Sequence, residues 1–277
     1  MPFQWQFYSN NLFNMSAAAS ETKKPPFVTA LARGMEVLRC FTPATPELGA
    51  SQIARMTGLP QPTVSRLCHT LLELGYLDAM PGRQTMRPGI RLLGLGQAVL
   101  SGQPIAELAL PHMQAIASRH EGAVSLGARD GLSMIYLQRC QGSSIVLADL
   151  RIGSRVPLAT SATGWAYIAG LGQAERRTVM AELRAERREK WSEIEPRLLE
   201  ALNDYATTGY IVNIGSLHAR INSVAVPVSS PDGGAILALS SGGISQVFQP
   251  QKLAEIGEEL KKLAAKLAPL LTIQTIG

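Results

Sequence analysis

Between positions 48 and 72, the apolar residues follow the spacing of two short helices joined by a tight turn. In the second helix they fall at i, i+3, i+4, i+7 and i+8, as one buried face of an α-helix requires. These residues are Val64, Leu67, Cys68, Leu71 and Leu72. Gly58 stands where a helix end favours a left-handed residue, and Pro62 suits the first turn of the following helix. The pattern predicts a helix-turn-helix over residues 48–67.

The first helix of this pair is predicted from its start signal. Ser51 is suited to the N-cap, because its hydroxyl can accept a hydrogen bond from an unpaired amide of the first turn. Ile53, Ala54 and Met56 then supply an inward face.

The remaining face of the second helix is polar and carries no carboxylate before Glu73. It consists of Gln61, Thr63, Ser65, Arg66, His69 and Thr70. Such a face can approach phosphates and base edges without charge repulsion. An ordinary amphipathic helix pair with a solvated face would show the same pattern, and this stretch alone leaves both interpretations open.

The neighbouring segments favour the DNA interpretation. Ala30 to Phe41 is predicted to be a helix that packs under the pair, with an inward stripe formed by Leu31, Met35, Leu38 and Phe41. After the second helix, which stops at Gly75, a strand begins, Pro81-Gly82 predicts a turn, and Gln84 to Arg87 can return as a second strand. This hairpin predicts a wing.

Two arginines of the hairpin are candidate DNA contacts. Arg83 at the tip and Arg87 on the return strand can reach a phosphate or the minor groove. Hairpin tips are also commonly charged for solubility, so both explanations stay open.

The segment from Gly89 to Gly102 predicts a helix that is apolar on most of its sides. Because such a helix must be buried, we interpret it as a linker that packs against a second copy of itself.

The rest of the chain predicts a different kind of domain, with strands arranged as hairpins and helices before, between and after them. This order indicates an α+β domain on an antiparallel sheet flanked by helices. The predicted helices are Leu108–Arg119, Trp165–Leu171, two amphipathic parts within Gln173–Tyr205, and Gln251–Leu271. The predicted strands are Val124–Arg129, Met134–Gln138, Ser144–Leu150, Ile211–Ile214, Ile221–Val228 and Ala235–Ser240.

Charge adds modest support to the DNA interpretation. Residues 21–96 hold nine Lys or Arg against five Asp or Glu, so +4 of the net charge of +5 lies around the helix-turn-helix. A solvated surface would explain an excess of that size nearly as well. Lys23 and Lys24 form a short basic arm at the end of a stretch, residues 1–26, that predicts a disordered extension, and Met15 is a second candidate start.

The cysteines and the hydropathy indicate a soluble cytoplasmic protein. Cys40, Cys68 and Cys140 are odd in number and far apart, which predicts reduced core thiols. Every apolar run is broken by Gly or Arg before it reaches the length of a membrane span. We expect no membrane partner and no cofactor.

Many short motifs in one order resemble the IclR family of bacterial transcriptional regulators, over residues from about 27 to 273. The matching runs are ARGMEVL at 32–38, TGLPQPTVSRL at 57–67, LGYL at 74–77, LLGLG at 92–96, IGSRVPLATSATGWAYIAGL at 152–171, GY at 209–210 and SVAVPV at 223–228. The resemblance implies a winged helix-turn-helix over 27–88, a linker helix over 89–102 and a GAF-like effector-binding domain over 103–273.

The resemblance also implies a partner list and a mode of action. Members bind operator DNA as homodimers, often as dimers of dimers, and a small organic molecule in the C-terminal domain alters that binding. The candidate DNA-contacting residues are Ser51, Gln61, Pro62, Thr63, Ser65, Arg66, His69, Thr70, Arg83 and Arg87.

By the same resemblance, the effector cup is lined by the loop before a helix, by the segment after the GY pair and by the inner strands. The implied residues are Ser161, Ala162, Thr163, Gly164, Asn213, Ser216, Arg220, Ser223 and Ser240. The helix that starts near Gly164 points its amides into the cup, which suits a carboxylate on the ligand. The alternative is that this Ser/Thr cluster only caps the helix.

The chain departs from the family pattern at several of these positions. Asn213 and Ser216 replace two acidic residues, and Arg220 replaces a glycine. The loss of two carboxylates favours an anionic effector and predicts no metal ion. Ser223 takes a position often held by Cys, and Gly242 replaces the second residue of a Ser-x-Ser pair that Ser240 begins.

Two rival functions remain at this stage. An enzyme would have to use His112, His120 or His218, yet the sequence has no GxSxG, HExxH, Walker or GxGxxG motif around them. The other rival is a DNA-binding protein whose effector pocket has been degraded by the three substitutions. The sequence leaves open the effector, the target genes and the choice between activation and repression.

Overall fold

The computed structural model describes residues 26–142, 150–234 and 236–273. The chain divides into two compact units, one ending at Val99 and one beginning at Leu100. The predicted N-terminal extension with its basic arm, and all of the predicted strand Ser144–Leu150 except its last residue, lie outside the described residues.

The N-terminal unit is a winged helix-turn-helix, which confirms that part of the predicted fold. Its elements in chain order are α1 (Thr29–Arg39), α2 (Ala50–Thr57), α3 (Gln61–Glu73), β1 (Leu77–Ala79), β2 (Met86–Pro88) and most of α4 (Arg91–Ser101), whose last two residues begin the second unit. The two strands pair antiparallel with Leu77 opposite Pro88 and form the wing. Their core is shared with the helices and includes Val37, Ile53, Val64, Cys68 and Leu77.

The start of α2 differs from the prediction. Gly49, not Ser51, is the N-cap residue, and Ser51 lies exposed in the first turn. The amide of Gly49 donates to Oε1 of Gln52 at 2.8 Å, so a side chain inside the helix satisfies the backbone just before it. Ile53 is fully buried as predicted, whereas Met56 is 54% exposed and does not belong to the inward face.

The predicted inward stripe of α1 was half wrong. Leu31 and Met35 are 66% and 48% exposed, while Val37 and Cys40 lie in the core and Leu38 packs at its edge. Apolar residues occur on more than one side of this helix, so periodicity could not select the side that packs on α3.

The linker helix α4 is not buried within the chain. None of its described residues is buried, and Leu93 and Val99 are 68% and 61% exposed, as is Ile90 just before it at 78%. Its N-terminus is attached to the end of α3, since Nη1 of Arg91 donates to the carbonyl of Leu74, the C-cap residue of α3, at 2.6 Å.

The C-terminal unit is an α+β domain on one antiparallel sheet. Its helices are α5 (Pro104–His120), α6 (Ala162–Gly170), α7 (Gln173–Arg187), α8 (Trp191–Thr208) and α9 (Pro250–Ile273), with a 3₁₀ turn at Arg188–Lys190. Its strands are β3 (Ala123–Asp130), β4 (Ser133–Gln141), β5 (Arg155–Pro157), β6 (Ile211–Ile214), β7 (Ile221–Ser229) and β8 (Ile236–Ile244). They lie in the order β5-β4-β3-β8-β7-β6, with antiparallel neighbours throughout.

Residue alternation gives this sheet two covered faces. Val224, Val226 and Val228 of β7 pack with α5 and α9, whereas Ala225 between them packs with α6 and α8. The predicted strands of this unit that lie within the described residues are confirmed in position. The three-residue strand β5 was not predicted, because it is too short to show a period.

Helices α5 and α9 are also joined by charge. Oε2 of Glu259 on α9 lies 2.8 Å from Nη1 of Arg119, and Oε1 lies 3.1 Å from Nε2 of His120. Burial raises the pKa of Glu259, but the hydrogen bonds and charges of these two partners outweigh it and hold the pKa below its ordinary value. The contact with Glu259 gives His120, one of the three histidines that an enzyme would have to use, a structural role.

Cys40, Cys68 and Cys140 are buried free thiols whose pKa values are raised by burial, as expected of core cysteines. Within the described residues, no helix combines the length and apolar character that a membrane span needs.

The turn between α2 and α3 depends on Gly58. Its φ is 70°, and its amide donates to the carbonyl of Ala54 at 2.9 Å. An L-residue in this left-handed conformation costs roughly 1–2 kcal/mol. We therefore expect Gly58→Ala to lower the free energy of opening of the N-terminal unit by about that amount, measured by hydrogen exchange of the α2 and α3 amides.

Gly34→Ala is the matched control, because Gly34 lies inside α1 and an added Cβ meets nothing within 4 Å. It should stabilise the unit by roughly 0.5–1 kcal/mol. Equal effects of the two substitutions would contradict the assigned turn.

Candidate nucleic-acid interface and effector site

The polar face of α3 is presented to solvent. Val64, Cys68 and Leu71 hold the helix in the core of the N-terminal unit, so the residues between them point outward. Of the predicted contact residues on this helix, Thr63 is half-buried, and Gln61, Pro62, Ser65, Arg66, His69 and Thr70 are exposed.

The hydrogen-bonding groups on this face are mostly uncommitted. Thr70 Oγ1 donates to the carbonyl of Arg66 at 3.1 Å, within the helix itself. In the part of the chain that the structure describes, the guanidinium of Arg66 forms no ion pair and the ring of His69 has no hydrogen-bond partner. A cation held on a rigid helix without an internal partner is available for a phosphate or a base edge.

The wing arginines are less available. Nη1 of Arg83 lies 3.3 Å from each carboxylate oxygen of Glu47, and Nε of Arg87 lies 3.7 Å from Oδ2 of Asp78. The hydroxyl of Thr85 also donates to Glu47, and this bond is the largest cause that lowers the pKa of Glu47. Both arginines are therefore partly neutralised by carboxylates on the same surface.

In the C-terminal unit, the start of α6 lies against the inner surface of the sheet, which is the face that α6 and α8 cover. Ser161 is its N-cap, accepting from the amide of Gly164 at 3.1 Å and donating to the carbonyl of Pro157 at 2.7 Å. A Cβ on Gly164 would lie 2.3 Å from the carbonyl oxygen of Leu158, so this close approach requires glycine. Ser161 thus caps the helix, which both sequence interpretations allow.

Thr163, in the first turn of α6, bonds to the sheet. Thr163 Oγ1 donates to Oγ of Ser240 at 2.9 Å, and both residues are buried. Ala162, in the first turn of α6, is buried beside them. The structure therefore brings together Ser161, Ala162, Thr163, Gly164 and Ser240, which the resemblance had placed in one cup.

Asn213 is buried and joins two loops. Its Nδ2 donates to the carbonyl of Thr160 at 3.1 Å, and its Oδ1 accepts from the amide of Ser216 at 3.2 Å. Both polar ends of the Asn213 carboxamide, at a position where the resemblance implies an acidic residue, are therefore hydrogen-bonded within the protein.

The other departures lie nearer the surface. Ser216 is half-buried and Arg220 is exposed on the turn between β6 and β7, with its amide donating to Nδ1 of His218 at 3.3 Å. Ser223 is half-buried on β7, opposite Asn213 on one side and Gly242 on the other. Arg220, which the sequence offered as a new cation for the cup, is thus not enclosed in it.

A different cation lies on the inner surface of the sheet, and sequence reasoning missed it. Arg139 of β4 is half-buried, and its Nη1 donates to Oγ of Ser125 at 2.9 Å. Its guanidinium lies 5.7 Å from the ring centre of Tyr136. An arginine inside a strand with buried apolar residues was the available signal, but the predicted strand ended at Gln138, one residue before Arg139 and three before the observed end of β4.

Among the described residues, no cluster of three or more His, Cys, Asp or Glu side chains could hold a metal ion.

Comparisons with known proteins agree with both units. Residues 30–80 match the model of the IclR helix-turn-helix domain, and residues 97–268 match that of the bacterial transcriptional regulator IclR C-terminal domain. The HTH-type transcriptional regulator TsaQ1/TsaQ2 of Comamonas testosteroni is 36% identical over 201 residues, 72% of each chain.

Solved structures give the same result. An IclR family transcriptional regulator from Brucella abortus is 41% identical, with a TM-score of 0.81 over 91% of this chain and 95% of its own. An IclR homologue from Microbacterium hydrocarbonoxydans, complexed with 4-hydroxybenzoate, shares the fold at 24% identity, with a TM-score of 0.68 over 86% of this chain and 97% of its own. Regulators of this kind are not enzymes. The chain belongs to the IclR family of bacterial transcriptional regulators, with an N-terminal helix-turn-helix domain and a C-terminal effector domain.

Proposed function

We propose that this regulator binds a specific operator by placing α3 in the major groove. The observation that carries the proposal is the exposed face of α3, which holds Gln61, Ser65, Arg66 and His69 without a carboxylate. Arg66 supplies a cation and Gln61 a two-ended amide, the groups that contact phosphates and base edges in helix-turn-helix complexes. Binding to operator DNA places the protein at the nucleoid, in the bacterial cytoplasm.

The binding form that we propose is a homodimer, joined through the exposed apolar residues of the N-terminal unit. Ile90, Leu93 and Val99 on and before α4 would lose their contact with water against a second copy. A second exposed apolar stripe runs from Phe27, just before α1, to Leu31 and Met35 on the helix, and is available for the same contact. A twofold dimer presents two copies of α3 to a palindromic operator. Pairing of two dimers would extend the contact to further half-sites.

We further propose that a small organic acid, bound between α6 and the sheet, alters operator binding. The buried hydroxyls of Thr163 and Ser240 and the nearby guanidinium of Arg139 make this the polar part of the domain core. The relative complexed with 4-hydroxybenzoate supports an acid of this size. The acid would act by preferring one arrangement of the dimer, and it can shift the equilibrium only by its difference in affinity.

The second candidate is a regulator that binds DNA without responding to a ligand. Asn213 favours it, because a carboxamide whose two ends are bonded to the protein offers little to an effector. Binding of small acids to the intact protein distinguishes the two candidates.

Arg66→Ala should weaken operator binding by roughly 1–3 kcal/mol and reduce the slope of log affinity against log salt by about 1. The measurement is fluorescence anisotropy with a labelled duplex from the promoter region beside the gene, over a salt series. Gln61→Ala should instead change the ranking of duplexes that differ by one base pair.

Arg177→Ala is the matched control, since Arg177 is also an exposed helical arginine but lies on α7. It should leave both quantities unchanged. Unaltered operator affinity in Arg66→Ala at physiological salt would show that α3 is not the recognition helix.

Leu93→Glu should break the dimer, because the substitution places a carboxylate in an apolar interface with nothing to pair with it. Light scattering should report a mass near the 29.7 kDa of one chain, with loss of operator binding. Leu199→Glu on α8, where the leucine is 51% exposed, is the matched control and should keep the mass of the unsubstituted protein. A Leu93→Glu protein of unchanged dimeric mass would rule out α4 as the interface.

Asn213→Asp should destabilise the C-terminal unit at pH 7 by roughly 1–3 kcal/mol, because a buried carboxylate would face the carbonyl of Thr160 with no proton to donate. Burial against an acceptor raises the pKa of that carboxyl when folded, so the loss should shrink as pH falls through the raised value. Thermal unfolding between pH 7 and pH 5 measures this.

Ser216→Ala keeps the amide that donates to Asn213 and should be nearly neutral at both pH values. An Asn213→Asp protein as stable as the unsubstituted one at pH 7 would contradict the role of Asn213 as a bond between the two loops.

A further inference from the structure

A groove lies between helices α5 and α9 of the C-terminal unit, on the side of the sheet opposite α6. Its volume is 340 Å³, which is within the range of small-molecule sites. Four residues of α5 from His112 to Arg119 line it, together with four residues of α9 from Glu259 to Lys266. The lining spans seven residue steps on each helix, so the groove is about 10 Å long at ~1.5 Å per residue.

One end of the groove is closed by charge. Nη1 of Arg119 lies 2.8 Å from Oε2 of Glu259, and this pair joins the two walls. Oε1 of Glu259 lies 3.1 Å from Nε2 of His120. Among the described residues that line the groove, Glu259 is the single carboxylate, and both of its oxygens are engaged.

The rest of the groove carries positive charge that is not balanced. Lys262 and Lys266 are exposed and stand one turn apart on α9, so they lie on the same side of the helix. In the part of the chain that the structure describes, neither ammonium has an ion-pair or hydrogen-bond partner. Glu258, the acid before Glu259, lies 2.9 Å from Nζ of Lys261 instead. The exposed ring of His112 adds a further polar group on the α5 wall.

The floor of the groove is apolar. Ile116 and Leu263 are 6% and 4% exposed, so they belong mainly to the core and leave only a shallow apolar surface at the base. Ala115 on the α5 wall is exposed and has only a methyl group, which leaves space above the floor. A flat apolar group can therefore lie there while its charged part reaches the lysines.

The kind of charge indicates the kind of anion. An ammonium is a compact point charge of the type that binds phosphoryl groups, whereas the forked guanidinium of Arg119 is already engaged by Glu259. Two lysines whose Cβ atoms are roughly 5–6 Å apart can contact two phosphoryl groups in succession. Packed helices have axes only about 8–10 Å apart, so a nucleic-acid duplex cannot enter between them and a small molecule can.

We propose that the groove between α5 and α9 is a binding site for a small organic polyphosphate ester. Its phosphoryl groups contact Lys262, Lys266 and His112, and its flat apolar body lies over Ala115 and the floor. The site is on the opposite face of the sheet from the proposed organic-acid site and does not depend on it.

The test is isothermal titration calorimetry on the full-length protein, in a buffer with EDTA so that no divalent cation neutralises the probes. The probes are ATP, AMP, adenosine and inorganic pyrophosphate. ATP should bind with a Kd below about 1 mM and at least roughly 10-fold more tightly than AMP, because it places more charge near the lysines. Adenosine should show no binding, and pyrophosphate should bind more weakly than ATP because it has no apolar body. Added NaCl should weaken the binding of ATP.

The double substitution Lys262→Gln, Lys266→Gln should weaken ATP binding roughly 10-fold, the loss expected for two exposed ionic contacts. Lys190→Gln is the matched control, since Lys190 is also an exposed lysine but lies on the 3₁₀ turn before α8, and it should bind ATP like the unsubstituted protein. Ala115→Phe keeps every charge and fills the space above the floor, so it should also weaken ATP binding roughly 10-fold. Operator binding without nucleotide should be unchanged in all three and serves as the check on folding.

Unchanged ATP affinity in the double variant, or an equal loss in Lys190→Gln, overturns the assignment to the lysines of the groove. Unchanged ATP affinity in Ala115→Phe shows attraction by surface charge alone and overturns the groove as a site. Absence of ATP binding to a protein that still binds its operator overturns this inference and leaves both the DNA-binding function and the acid effector standing. If a variant fails to fold, an unsubstituted protein that binds AMP or pyrophosphate as tightly as ATP overturns the inference by itself.

Discussion

Alternation of side chains along the antiparallel strands decides how the C-terminal unit is organised. Along β7 the valines at 224, 226 and 228 face α5 and α9, and the residues between them face α6 and α8. Because the period is two, a shift of one residue in register would exchange the two faces. The valine face is mainly apolar, with Asn222 and Ser241 as its buried polar residues, whereas Ser125 and Ser240 lie on the other face.

Buried polar groups on the α6 side of the sheet are bonded to one another. Ser125, Thr163 and Ser240 lie on the α6 side and bond to one another or to Arg139, so each group is at least partly satisfied. Asn213 is satisfied by the carbonyl of Thr160, in the loop before α6, and by the amide of Ser216, in the turn after its own strand. Of the positions at which the sequence departs from the pattern that the resemblance implies, Asn213 is bonded within the structure and Arg220 lies on an exposed turn.

The N-terminal unit follows a different constraint, because it has few residues with which to form a core. Val37, Ile53, Val64 and Leu77 are fully or almost fully buried, and they hold α3 so that its polar face stays outside. The apolar residues that did not fit this core lie exposed on α1 and α4. This exposed apolar surface is the one through which we propose that two copies pair.

The sequence by itself determined the order of the elements, the helix-turn-helix with its wing, and the outward face of α3. Those features depend on local periodicity, on Gly58 and on turn residues such as Gly82, all of which act over a few positions. Tertiary structure alone decided which side of α1 packs inward, since Leu31 and Val37 are equally apolar and only contact with α3 separates them. It also decided that Arg139 and Ser125, 14 residues apart, meet Ser240 and Thr163 in one line. Strand order is set by packing across the whole sheet, and no local pattern carries that information.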